Sequence, residues 1–328
     1  MQANNQKIVV LGTGGTIAGE SDSADEGLTY KAAQRGIGEL LKSVSSIPLP
    51  WPQVLAACQF EAEQVAQLDS KDMDFETWTH LAKRCDHWLA QDDVVAIVVT
   101  HGTDTLEETA YFLSQVIKHA KPIVLTCAMR PANFKDADGP QNLRDALVVA
   151  ATTKGPGVWL VAAGEIHHSQ FVQKVHPTRL NAFDSGETGA AGSVQKDTVQ
   201  WFENFPQTLP NLRWHVSQLP VAAQWPWVEI VMNYVNASHQ HVDALVNAGV
   251  QGLVIAGTGN GSVSSKMKES LVRAQMAKVQ IRLSSRCNQG AVVPTSSHVF
   301  DAHEALSPAK TRVALLLDIM SERQSHCA

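Results

Sequence analysis

The sequence predicts an α/β protein: a larger N-terminal domain on a parallel sheet with helices on both faces, then a smaller C-terminal α/β domain. Three observations predict it. Short apolar runs rich in Val and Ile alternate with longer amphipathic stretches, the pattern of strands buried on both faces and joined by covering helices. A stretch bearing prolines and tryptophans at 203–226 then breaks the rhythm. Beyond it the alternation resumes on a smaller scale.

In chain order, strands are expected at 7–11, 94–99, 122–126 and 158–162, each apolar or β-branched almost throughout. Helices are expected at 73–89, 106–119 and 141–152. The polar, acidic SDSADEG at 21–27 reads as a mobile loop. The stretch 203–226 holds four prolines and reads as a long connection over the surface. A strand at 228–232, a helix at 242–248, a strand at 252–255, a helix at 264–276 and a strand at 280–284 follow. A last helix is expected at 307–321, with Ser-Pro at its start. The domains are therefore placed at 1–202 and 227–328, with 203–226 as linker.

Composition narrows the function classes. With 44% hydrophobic and 18% charged residues, the 328-residue chain can bury a core and is not a disordered protein. A formal charge of -6 gives no electrostatic reason to expect nucleic acid or an anionic membrane as partner. The cysteines, Cys58, Cys85, Cys127, Cys287 and Cys327, are odd in number and widely spaced, which suggests neither a disulfide framework nor a zinc ribbon. His167–His168 and His239–His241 lack the spacing of a metal motif, so no metal or other cofactor is expected. The opening MQANNQKIVVLG is too short in apolar length for a signal-peptide core. A cytoplasmic protein is expected, or a periplasmic one if a leader preceded this sequence.

The first strand runs into VVLGTGGTIAGE at 9–20, a glycine-rich turn of the kind that often cradles phosphate. Gly14 and Gly19 have the spacing of a P-loop, but Glu20 stands where lysine must, and a carboxylate repels phosphate. Gly12 and Gly14 begin a dinucleotide fingerprint, yet Ile17 replaces its third glycine. What remains is a tight turn at the carboxyl end of a strand, with Thr13 and Thr16 on either side of two glycines.

A second strand ends in a similar turn within VVAIVVTHGTDTLEETAYFL at 94–113, which carries His101, Thr103, Asp104 and Thr105. Thr105 and Glu108 fit a capping box for the following helix, which leaves Thr103 and Asp104 unexplained by local structure. Two parallel strands thus bring two hydroxyls and a carboxylate to one sheet edge.

T-G-G-T-I-A-G at 13–19 and H-G-T-D-T-x-E-E-T-A at 101–110 resemble the two signatures of the bacterial-type L-asparaginases and glutaminase-asparaginases. A-M-R-P at 128–131, A-D-G-P-x-N-L at 137–143, N-Y-x-N-A at 233–237 and G-x-G-N-G at 257–261 extend the resemblance over nearly the whole chain. It implies hydrolysis of an amino-acid amide through a covalent acyl-threonine. It assigns Thr16 as nucleophile, Tyr30 as the lid tyrosine, and Thr103, Asp104 and Lys174 as a Thr–Lys–Asp set. Ser70 would hold the substrate α-carboxylate, and Asn260 would reach the site from a neighbouring subunit of a homotetramer. A threonine alcohol needs an adjacent base, and backbone N–H groups near Thr16 and Thr103 suit an oxyanion. Which threonine attacks first stays open in the sequence.

Two departures stand out. Lys71 follows Ser70 where the family's periplasmic enzymes carry glutamine or glutamate. A lysine cannot accept a bond from the substrate ammonium and would repel it, unless it faces solvent or pairs with Asp104. The family's neighbouring-subunit glutamate is also missing from SSRCNQGAVVPTSSHVF, where Ser296, Ser297 and His298 stand instead. Asparagine is the expected substrate, with a high KM and glutamine poorer. The competing readings are a binding or regulatory protein without turnover and an amidotransferase subunit. The latter would call for a basic tRNA face that the charge balance does not provide.

Overall fold

The four apolar runs of the first 200 residues form inner strands of one eight-stranded sheet. In the computed structural model, which describes residues 6–23, 29–45, 47, 49–203, 212–296, 298–302 and 305–327, β1 (Gln6–Gly14) is followed by α1 (Ile37–Val44), β2 (Cys58–Leu68), α2 (Phe75–Leu89) and β3 (Val94–Thr100). Then come α3 (Leu106–Val116), β4 (Pro122–Thr126), α4 (Gly139–Thr152), β5 (Gly157–Ala162) and β6 (Glu165–His168). A two-stranded antiparallel ribbon, β7 (Gln173–Lys174) and β8 (Phe183–Asp184), precedes β9 (Gly192–Gln195) and β10 (Thr198–Trp201). The sheet order is β10-β9-β6-β5-β4-β3-β1-β2. β1 to β5 run parallel; β6, β9 and β10 add an antiparallel edge.

Helices cover both faces. α1 and α4 bury Ile37, Leu40, Leu143 and Leu147 against Ile8, Val10, Val98 and Val124. Strand alternation turns Val9, Leu11, Ile97 and Val99, all fully buried, to the other face. There α2 and α3 pack together, Trp78 stacking on Phe112 at 4.8 Å between ring centroids. β1 lies between β2 and β3, so the chain winds outward in both directions from it. That reversal places the topological switch point beside β1, where open α/β sheets bind ligands outside the strands' carboxyl ends.

Several sequence expectations shift in the structure. Asp74 accepts from Thr77 N at 2.7 Å and so caps α2, which starts at Phe75 rather than 73. α3 stops at Val116 because Ile117 is extended. Thr105 does not form the expected capping box: its hydroxyl donates to Ser70 O at 2.8 Å instead. The loop expected at 21–27 lies largely outside the described residues. The chain divides into compact units at 1–219 and 220–328. Part of the presumed surface connection is buried, with Trp214, Val216 and Leu219 all under 9% exposed.

The second unit is a three-stranded parallel sheet of β11 (Val228–Met232), β12 (Gly252–Gly257) and β13 (Gln280–Ser285) in that order. Between its strands run α5 (Gln240–Asn247) and α6 (Ser265–Met276), which pack together over β12 and β13. α7 (Pro308–Cys327) packs on all three strands. Among the described residues no helix is long and apolar enough to cross a membrane.

Candidate active site

Two strand-end turns meet at the switch point. Gly15, at φ 80°, lies so close to the other turn that a Cβ on it would stand 2.2 Å from Gly102 Cα. A Cβ on Gly102 would in turn reach Ser70 Oγ at 2.5 Å and Gly15 Cα at 3.0 Å. Only glycine at both positions permits this backbone contact. One residue past each contact stands a threonine: Thr16, in a 3-10 turn, and Thr103, each 5% exposed. Among the described residues, no acceptor faces the backbone N–H of either threonine. Thr13, by contrast, donates to Thr100 O at 3.0 Å and ties β1 to β3.

Thr16 Oγ1 lies 2.6 Å from the Tyr30 hydroxyl. Tyr30 is brought there by paired backbone bonds between Glu20 and Lys31 and by the Glu20–Arg35 ion pair at 2.8 Å. Burial raises the Tyr30 pKa, with the Asp69 and Asp104 carboxylates adding to the rise. Tyr30 is therefore a neutral phenol at working pH, able to pass a proton on but a poor base by itself.

Thr103 belongs to a second cluster. Lys174 Nζ donates to Thr103 Oγ1 at 2.8 Å and to Asp104 Oδ1 at 2.7 Å. The ammonium takes one lone pair of the threonine oxygen, which leaves the Thr103 hydroxyl hydrogen free for another partner. Ser70 is 2% exposed, accepts from Asp104 N at 3.1 Å and retains its own hydrogen for a ligand oxygen. The first unit thus gathers Thr16, Tyr30, Ser70, Thr103, Asp104 and Lys174 at one sheet edge.

Asn260 has its own partners. It lies in the second unit, where its Nδ2 donates to Val293 O at 2.9 Å and its Oδ1 accepts from Val293 N at 2.7 Å. His298 Nε2 is 2.9 Å from the Asn260 carbonyl, and Ser297 lies outside the described residues. Lys71 does not pair with Asp104: it faces solvent, bound to Asp69 and Asp72 at 3.0 and 2.7 Å.

Sequence reasoning gave no role to three supporting groups. Glu107 accepts the backbone N–H of Lys174. The adjacent pair Glu107 and Glu108 in the α3 first turn was available as a signal, since a capping role could use only one. His101, fully buried, is held by Gly102 O at 2.7 Å and Thr109 Oγ1 at 3.0 Å, and burial lowers its pKa to about 4. Because a carbonyl only accepts, Nδ1 carries the proton of this neutral ring. Asp138 accepts from Met129 N and Arg130 N at 2.9 and 3.0 Å, which accounts structurally for the A-M-R-P and D-G-P motifs.

Comparison with known proteins identifies the family and the fold. Residues 7–207 match the family model described as Asparaginase, N-terminal, and residues 227–325 match the Glutaminase/Asparaginase C-terminal domain. The L-asparaginase 2 of Bacillus subtilis is 36% identical over 315 residues, covering 94% of this chain and 81% of that protein. The probable periplasmic L-asparaginase of Haemophilus influenzae is 38% identical over 324 residues, covering 96% and 89%. A crystal structure of a probable cytoplasmic L-asparaginase from Campylobacter jejuni matches with a TM-score of 0.87 at 34% identity, over 96% of this chain and 95% of that one. By both of its domains and along nearly its full length, the chain belongs to the asparaginase family.

Proposed function

We propose that this protein hydrolyses the side-chain amide of L-asparagine to L-aspartate and ammonia through an acyl-threonine, with glutamine a poorer substrate. The observation that carries the reading is the meeting, at adjacent strand ends, of a hydroxyl pair and a hydroxyl–ammonium–carboxylate set. Thr16 Oγ1 attacks the amide carbon, and its proton passes through the Tyr30 hydroxyl to the departing nitrogen. The C–N bond breaks, ammonia leaves and the acyl group stays on Thr16 as an ester. Water, oriented by the Thr103 hydroxyl and the Lys174 ammonium, then adds to the ester carbon, its proton returns through the Tyr30 hydroxyl to Thr16 Oγ1, and the C–Oγ1 bond breaks to release aspartate. The N–H groups of Thr16 and Thr103 receive the oxyanion in both halves. Ser70 holds the α-carboxylate and Asp104 the α-ammonium.

The reading includes a homotetramer, a dimer of dimers, with Asn260 offered from a neighbouring subunit and a cytoplasmic location. Neither cofactor nor metal takes part. Ammonia release from asparagine, glutamine and their D-isomers tests the activity. Thr16→Ala should abolish it with the fold intact, and a diazo-ketone analogue of the substrate should label Thr16. Full activity in that variant would overturn the nucleophile assignment. Sedimentation on dilution, followed with activity, tests the shared site.

A further inference from the structure

Lys174 sits on a ribbon of two two-residue strands, too short to hold its own position. Its anchors are therefore external. At the Lys174 end, Glu107 on α3 accepts the lysine's backbone N–H. At the other end, Ser185 directly follows β8, and its Oγ lies 3.0 Å from His167 Nδ1. The opposite ring nitrogen, Nε2, stands 3.4 Å from Glu165 Oε2. Glu165 and His167 are alternate residues of β6, so they share one side of a strand that belongs to the main sheet. His167 is 2% exposed and Ser185 5%. A buried imidazole is tolerated where both nitrogens have partners, and here they do.

The partners fix the hydrogens. A carboxylate only accepts, so Nε2 carries a hydrogen toward Glu165, while Nδ1 and the Ser185 hydroxyl partner each other. The bond from His167 holds the Glu165 carboxyl below its usual range. Hydroxyl, imidazole and carboxylate in sequence resemble a hydrolytic triad. Here, however, the hydroxyl ties the end of β8 to β6.

We infer that Glu165, His167 and Ser185 form a positioning relay that fixes the β7–β8 ribbon on the main sheet and so holds the Lys174 ammonium on Thr103 and Asp104. The inference rests on the hydrolase reading above and assigns that site a residue set with no contact to substrate. The Lys174 ammonium bonds Thr103 and Asp104, Glu107 holds its backbone N–H, and its charge also acts on the Cys127 thiol just after β4. Loss of the relay lets the ammonium drift from the first two, and a misplacement of about 1 Å at such a group is worth about a hundredfold in rate.

The test compares wild type, His167→Leu, His167→Asn and Ser185→Ala by steady-state kinetics across pH. Lys174 labelling by an amine-selective reagent, read by mass spectrometry, runs beside it. His167→Leu and Ser185→Ala should lower kcat about ten- to a hundredfold while KM stays within about threefold. The pH profile of kcat should shift, and Lys174 labelling should rise severalfold. His167→Asn, whose amide oxygen can still accept from Ser185, should recover part of kcat. Ser185→Ala removes a single oxygen, so it reports even where His167→Leu fails to fold. Unchanged labelling overturns the relay, whether or not the wild type turns over asparagine. A kcat loss with an unshifted pH profile also overturns it. Failure of the wild type to release ammonia would instead count against the hydrolase reading.

Discussion

Lys71 stands one residue from Ser70, yet hydrogen bonds to Asp72 and Asp69 push its pKa up to about 12 and keep it facing outward. It therefore neither blocks the α-ammonium site nor contributes to it by contact. Its effect is on the local field: Asp69 and Asp104 raise the Tyr30 pKa and Lys71 lowers it, so all three charges act at the same place. Removing the lysine leaves Asp69 uncompensated and makes the site more attractive to a substrate ammonium. Lys71→Gln should lower KM for asparagine by about twofold at low ionic strength and leave kcat nearly unchanged, because an exposed charge is screened. Raising salt to about 0.5 M should erase the difference. A difference that survives salt would place Lys71 in contact with substrate. The family resemblance singled out the lysine, but its direction depends on the two flanking aspartates, and only the fold determines which carboxylate it meets.

At the scale of elements, the contact between the β1 and β3 turns is the feature that assembles the site. Gly102→Ala places a methyl 2.5 Å from Ser70 Oγ and 2.8 Å from Ser70 Cβ, with Gly15 Cα at 3.0 Å. The turns must separate to admit it. Stability should fall by about 1–3 kcal/mol, as for other overpacked sites. Because Thr103 lies next in the chain, kcat should fall at least about tenfold. Denaturant unfolding and kinetics on the same preparation separate the two effects, and normal kcat in the folded variant would show that the turns do not set the reaction geometry. Strands of this kind were legible because β1, β3, β4 and β5 are buried on both faces and read as unbroken apolar runs. β2 was not, because CQFEAEQVAQL lies at the sheet edge and keeps much of its length exposed. α1 and the short β6 to β10 carry too few residues to show a period. Thr16, Thr103 and Asp104 were legible as strand-end groups. Lys174 came only by family resemblance, since its partners lie 70 and 71 positions away and leave no local trace.

Across the whole molecule, two buried groups of the first unit couple folding to pH in opposite directions. Burial raises the Asp145 pKa from 3.8 to about 7, with Gln141 as its hydrogen-bond donor at 2.8 Å. A raised folded pKa gives stability that is full below the unfolded value and lost as pH climbs through the folded one. For His101 the folded pKa falls from 6.5 to about 4, so its contribution is full above 6.5 and lost as pH drops toward 4. At 1.36 kcal/mol per unit, each shift is worth on the order of 3–5 kcal/mol. Between about pH 4 and 6.5 the two slopes oppose each other, and burial of Asp138 adds on the side of Asp145. Each single variant should expose the slope that the other group hides. Asp145→Asn should gain stability relative to wild type as pH rises from 4 to 7, most at the alkaline end. His101→Asn loses the bonds to Gly102 and Thr109 and so should be less stable at neutral pH, but its deficit should shrink as pH falls. Denaturant midpoints taken every half unit from pH 4 to 7.5 give both differences. Parallel curves for wild type and Asp145→Asn would mean that the carboxyl titrates in the folded protein as it does in the unfolded chain.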